Sequence, residues 1–186
     1  TVFPVVQDDP ERVRQAIKEG LEYDLSIFSG GVSMGEYDYV PEMLAKEGVS
    51  IVFHKASIRP GKPLLLGRKG DRVVFGLPGN PVSAFVTFEL FVRPAVRDWM
   101  GFPEPHTRSV QAELTASVRQ SPGRKFFKPA RTTWEEGRFR AEPIQTKGSS
   151  DLVGFARTNS LLVIEENTLA VESGEQVETI LLDQWN

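Results

Sequence analysis

Two glycine-punctuated turns hold the residues best suited to chemistry: Ser29-Gly30-Gly31-Val32-Ser33-Met34-Gly35-Glu36-Tyr37-Asp38 and Gly76-Leu77-Pro78-Gly79-Asn80-Pro81-Val82-Ser83-Ala84. Gly30 and Gly31 let backbone approach a ligand without a Cβ in the way. Ser29 and Ser33 offer hydroxyls to a phosphate. Asp38, expected just inside the following helix, is a carboxylate suited to a magnesium ion or a ribose. In the second turn Pro78 and Pro81 stiffen the chain, Gly79 and Asn80 tolerate positive φ, and Ser83 falls in the first turn of a helix. Between the two lies Arg59-Pro60-Gly61-Lys62-Pro63, a rigid turn with two cations three residues apart, suited to an oxyanion. The chemistry these residue types point to is the handling of a phosphorylated or oxyanionic ligand. Taken singly, each has a plainer reading: a strand-to-helix connection, a β-turn with solvated charges, a well-made helix entry.

The elements that must position them follow from periodicity. Pro10 opens a helix capped by Asp8 or Asp9; Val13, Ala16, Ile17 and Leu21 repeat along it, and Gly20 ends it. Tyr23 to Phe28 reads as a strand running into the first turn. Val40, Met43 and Leu44 mark a second helix, and residues 49–53 the next strand. Residues 64–66 and 73–75 are two further strands joined by a charged turn. Val82 to Trp99 has the spacing of one long helix, kinked at Pro94. After Gly101-Phe102-Pro103 the texture changes. Short strand-like runs near 110–114, 125–130, 138–141, 161–164 and 177–182 predict a small β barrel or sandwich. The expected boundary lies near residue 103. Ser121-Pro122-Gly123-Arg124 and Gly148-Ser149-Ser150-Asp151 are polar turns in that region, read by themselves as hairpin loops.

Composition narrows the function classes. The 186 residues are 40% hydrophobic and 25% charged, with a net charge of −3 and no cysteine. A nucleic-acid partner is disfavoured, and thiolate metal sites and disulfides are excluded. His54 and His106 lie far apart in unlike contexts, against a histidine zinc site or a Ser-His-Asp triad. No apolar run reaches the roughly 20 residues of a membrane span. The expected location is the cytoplasm. The chain starts at Thr1 on a strand-like run, the expectation being a piece of a longer protein.

Ser-Gly-Gly-Val-Ser-x-Gly-x-x-Asp, Pro-Gly-Lys-Pro and Gly-Leu-Pro-Gly-Asn-Pro-Val-Ser-Ala, in this order and spacing, resemble the molybdopterin molybdenumtransferases, the molybdenum insertases with a gephyrin C-terminal-like region. The resemblance runs from about Asp8 to the C-terminus. It implies an α/β class chain: a three-layer molybdopterin-binding domain, 1–102, then a small all-β barrel domain, 103–186. It implies molybdenum cofactor biosynthesis, in which adenylylated molybdopterin and molybdate give the cofactor and AMP with Mg2+ assisting. Carried over by position, Ser29, Gly30, Gly31, Ser33, Pro78, Gly79 and Asn80 would hold the pterin nucleotide. Asp38 would be the metal ligand and, with Lys62, catalytic. Arg59, Lys62, Pro63, Ser83, Arg124, Ser149 and Ser150 would take molybdate. Arg59 stands where a lysine is usual, so charge is kept and donor geometry changes.

The resemblance also implies a homodimer in the full-length protein, with a site completed by the partner's N-terminal region. The family's first phosphate-binding turn and two N-terminal domains are not in this sequence, and weak or absent insertion by this chain alone is expected. Competing readings are a molybdopterin adenylyltransferase, which lacks the Pro-Gly-Lys-Pro turn and the barrel, and a scaffold module of the same fold. Tungstate in place of molybdate stays open.

Overall fold

A computed structural model describes residues 1–33, 35, 38–145 and 152–182. The chain folds as two compact units, Thr1–Ala56 with Gly61–Asn80, and Ser57–Pro60 with Pro81–Asn186.

In the first unit Asp9 caps helix α1 (Pro10–Gly20) by accepting the Arg12 N–H at 2.9 Å, and Pro10 occupies the first turn, where no N–H is needed. Strands β1 (Leu25–Ser29), β2 (Ser50–His54), β4 (Leu65–Lys69) and β5 (Arg72–Leu77) follow, with helix α2 (Val40–Lys46) between β1 and β2; strand β3 (Ile58–Arg59), between β2 and β4 in the chain, belongs to the second unit. The first sheet has the order β1-β5-β4-β2. β1 runs parallel to β5; the other two pairings are antiparallel. Val13 and Ile17 of α1 and Val40, Met43 and Leu44 of α2 form one core with Leu65 and Val74 of the sheet. The unit is therefore mixed α/β, with both helices on the sheet face that carries Leu65 and Val74.

In the second unit the segment read as one kinked helix is three: α3 (Pro81–Thr87), a π-helical turn at Phe88–Val92, and α4 (Arg93–Trp99). Pro94 has no N–H to donate, and its ring crowds the carbonyl four residues earlier; the wide turn in front of it accommodates both. Then come β6 (Ser109–Leu114), β7 (Val118–Arg119), β8 (Lys125–Glu135), β9 (Arg138–Pro143), a short helix α5 (Leu152–Phe155), β10 (Ser160–Ile164), β11 (Ala170–Val171) and β12 (Gln176–Leu181). The strand order β10-β12-β6-β9-β8 closes through a β10–β8 pairing. This five-stranded barrel has no free edge. Its core holds Ala112, Leu114, Ala130, Ala141, Leu162, Ile164 and Val177.

Two further features differ from the sequence reading. β3, expected as a plain turn, pairs in parallel with β8, Ile58 opposite Lys125 and Arg59 opposite Phe126. A two-residue strand has no periodicity to reveal it. Residues 81–99 also belong to the same compact unit as the barrel, where the sequence reading set the boundary near 103. Packing of α3 on α5, including an edge-on Phe85–Phe155 pair at 5.0 Å, ties them to it. No helix among the described residues is long and apolar enough to cross a membrane.

Candidate functional site

The first unit brings both glycine-rich turns to one end of its sheet. Ser29 is opposite Leu77 in the parallel β1–β5 pair, so both turns leave the sheet side by side. The Gly30 N–H donates to the Leu77 carbonyl at 3.0 Å. A Cβ on Gly79 would stand 3.3 Å from Gly30 Cα, so the backbones touch here. Gly30 and Gly31 have φ of 91° and 67°, in the left-handed region. Gly79 and Asn80, read from the sequence as tolerant of positive φ, do not adopt it. Glycine at 79 answers to the close approach of Gly30 instead.

Val32, fully buried, anchors the first turn. Its carbonyl accepts a hydrogen bond from His54 Nε2 at 2.7 Å. A carbonyl only accepts, so this ring nitrogen carries the proton. Sequence reasoning considered His54 only as a metal or triad residue; its part in holding the turn depends on β2 lying in the same sheet.

Asp38 precedes α2 rather than lying in it. Its Oδ2 accepts the Gly35 N–H at 2.7 Å, and its own N–H donates to the Gly35 carbonyl at 3.1 Å. The carboxylate thereby closes the turn through Oδ2 alone. Ser29 and Ser33 are exposed, Pro78 is buried, and Lys62 is exposed with its carbonyl accepting the Ala56 N–H at 2.9 Å. A cavity of about 830 Å³ opens beside β1, lined in part by Ser29, Gly30, Gly31 and Tyr39. That volume falls within the range of small-molecule sites. Among the described residues no cluster of three or more His, Asp or Glu side chains could cage a metal. Mg2+ commonly needs only one or two carboxylates beside substrate phosphates, and Asp38 fits that requirement.

The second unit assembles cations. Arg59 is placed by the β3–β8 pairing, and its guanidinium lies 4.0 Å above the centroid of Phe126. Its Nη2 reaches Gln120 Oε1 at 3.5 Å, while Gln120 Nε2 donates to the carbonyls of Glu165 and Thr168 at 2.7 and 2.9 Å. Burial, then the positive charge of Arg124, holds Arg59 below its ordinary pKa. The Arg124 turn is tied down from both sides. Gly123, at φ 100°, donates to the Glu166 carbonyl, and the Lys125 N–H donates to the Ser57 carbonyl. Ser83 is buried in α3. Ser149 and Ser150 lie outside the described residues. Sequence reasoning missed Phe126 and Gln120; neither belongs to a motif, and both matter only once β3 is on β8.

Residues 2–98 match the family model described as "Probable molybdopterin binding domain", and residues 111–182 match "MoeA C-terminal region (domain IV)". The chain is 32% identical over 183 residues to molybdopterin molybdenumtransferase of Bacillus subtilis, a match covering 97% of this chain and 42% of that protein. It is 30% identical over 184 residues to molybdopterin molybdenumtransferase of Staphylococcus aureus (strain MRSA252), covering 98% and 44%. The chain thus spans less than half the length of these curated relatives. A molybdopterin biosynthesis MoeA protein crystal structure from Pyrococcus horikoshii superposes with a TM-score of 0.80 at 30% identity, covering 97% of this chain and 43% of that one. A molybdenum cofactor biosynthesis protein from Pyrococcus furiosus gives 0.74 at 29%, covering 97% and 58%.

Proposed function

Because the chain belongs to the molybdopterin-binding domain family and carries a MoeA C-terminal region after it, we propose that it serves molybdenum cofactor biosynthesis as a molybdopterin molybdenumtransferase. In this reading the longer protein transfers molybdate to adenylylated molybdopterin and releases AMP. As family regions, a division into 1–102 and 103–186 is supported by the two matches, which leave 99–110 between them, although the compact units divide at Asn80–Pro81.

The observation that carries the reading is the contact of the two glycine turns, Gly30 against Gly79, at one end of the β1–β5 pair. It leaves bare backbone and the hydroxyls of Ser29 and Ser33 for a nucleotide phosphate. Pro78, Gly79 and Asn80 are the proposed second wall. Arg59 and Arg124 are the proposed oxyanion ligands, with Lys62, Pro63, Ser83, Ser149 and Ser150 as further candidates. Asp38 would hold Mg2+, which neutralises the phosphoanhydride oxygens when bound. Asp38 keeps its turn closed through Gly35, Ser29 and Ser33 orient the phosphate, and Lys62 contributes positive charge to the departing AMP. Cytoplasmic location and a homodimer in the longer protein belong to the same proposal, as does weak insertion activity of this chain alone.

The test is binding of adenylylated molybdopterin to this chain and to Asp38→Asn, with and without Mg2+. Asparagine can still accept from Gly35, so the turn should survive. Mg2+ should tighten binding to the parent and leave the variant unaffected. Equal Mg2+ response in both would remove Asp38 from the metal site. No binding by the parent would count against the nucleotide site in this chain.

A further inference from the structure

Lys128 sits in the run Phe126-Phe127-Lys128-Pro129-Ala130 on β8, a lone cation among apolar residues. The register puts it opposite Leu162, as Phe126 is opposite Ile164 and Ala130 opposite Ser160. Alternation along the strand gives Lys128 the same face as Phe126 and Ala130, the face that joins the barrel core. It is half-buried there. A cation in such a place is normally matched by a carboxylate. Among the described residues none pairs with it. Glu165, at the end of the neighbouring strand, is engaged by Lys125 at 2.9 Å.

The nearest charged influence on Lys128 is another cation, Arg59. Burial and then Arg59 hold its amine below the ordinary value, as burial and Arg124 do for Arg59. Arg59 cannot readily swing away, since its guanidinium is stacked on Phe126, two residues before Lys128 on the same strand face. Cations held together without a counter-ion are complementary to a compact anion of more than one charge. An ammonium, with three donors on a point charge, approaches such an anion from directions that two planar guanidinium forks leave open.

We propose that Lys128 is a third oxyanion-binding cation, acting with Arg59 and Arg124. The proposal rests on the oxyanion reading of that cluster and adds a residue to it.

The test is calorimetric titration of molybdate, tungstate and sulfate into this chain, Lys128→Met, Lys128→Arg and Arg124→Ala. Loss of one charge-assisted hydrogen bond should weaken molybdate about tenfold or more in Lys128→Met, while Lys128→Arg stays close to the parent. Parent-like binding by Lys128→Met, with binding lost in Arg124→Ala, would overturn the role of Lys128 and leave the oxyanion reading standing. If the parent takes sulfate as well as molybdate and Lys128→Met loses both, Lys128 stands and the molybdate reading falls. No oxyanion binding by the parent would sink both. Thermal melts supply a second readout. In oxyanion-free buffer Lys128→Met should melt at or above the parent, because an unmatched charge has been removed, and molybdate should raise only the parent. A lower melting temperature without oxyanion would show that the fold already satisfies the charge, against the proposal.

Discussion

The side chain of Val32 occupies the space that a side chain at Gly76 would need: a Cβ there would lie 2.7 Å from Val32 Cγ1 and 3.2 Å from Leu65 Cβ. The first turn is therefore seated in a notch on β5 that only glycine leaves open. Gly76→Ala should overpack this notch and destabilise the chain by about 1–3 kcal/mol. Denaturant unfolding checks this, and an unchanged midpoint would refute the seating. Nucleotide binding should weaken in parallel, because Val32 carries Ser33 and the backbone of Gly31.

His54 holds the same turn from β2. His54→Phe leaves the Val32 carbonyl without its donor and should cost about 0.5–1.5 kcal/mol. His54→Gln, which keeps a donor, should recover part of this. If both variants unfold and bind nucleotide like the parent, the hydrogen bond does not position the turn.

Phe126 supports Arg59 through its ring face. Phe126→Leu keeps most of the apolar volume and removes the ring face, a loss of about 0.5–1 kcal/mol of cation–π attraction. Molybdate affinity should fall several-fold while the melting temperature changes little. A large drop in stability with intact affinity would instead make Phe126 a packing residue only.

Acid stability should depend on Glu47. The Arg14 side chain donates to Glu47 Oε1, and Lys18 Nζ lies 3.9 Å away. The Arg14 hydrogen bond first, then the charges of Lys18, Arg14 and Lys69 against a desolvation penalty, hold the Glu47 carboxyl below its ordinary value of 4.5. A carboxyl depressed in the folded state binds fewer protons there than when unfolded. Its stabilisation is present above the ordinary value and is lost as pH falls through the lower folded one. Glu47→Gln should be less stable than the parent near neutral pH, and the difference should vanish in acid. Urea melts across that range decide it; a constant difference would remove the pair from the acid limb.

The local elements were legible in the sequence because local physics makes them. Asp9 and Pro10 start α1, apolar spacing makes α2, and Gly30 and Gly31 take the left-handed backbone that their residue type permits. The two glycine turns and the cations Arg59 and Arg124 were identifiable by residue type and order. Tertiary structure decided what each is for. Gly79 is glycine because Gly30 comes against it, Gly76 because Val32 fills its space, and neither neighbour is near in sequence. His54, Phe126, Gln120 and Lys128 belong to no motif; they gain their roles from strands brought together by pairing, β2 into the first sheet and β3 onto β8. Two residues of β3 carry no periodicity, so only the long-range register Arg59–Phe126 shows where that cation stands.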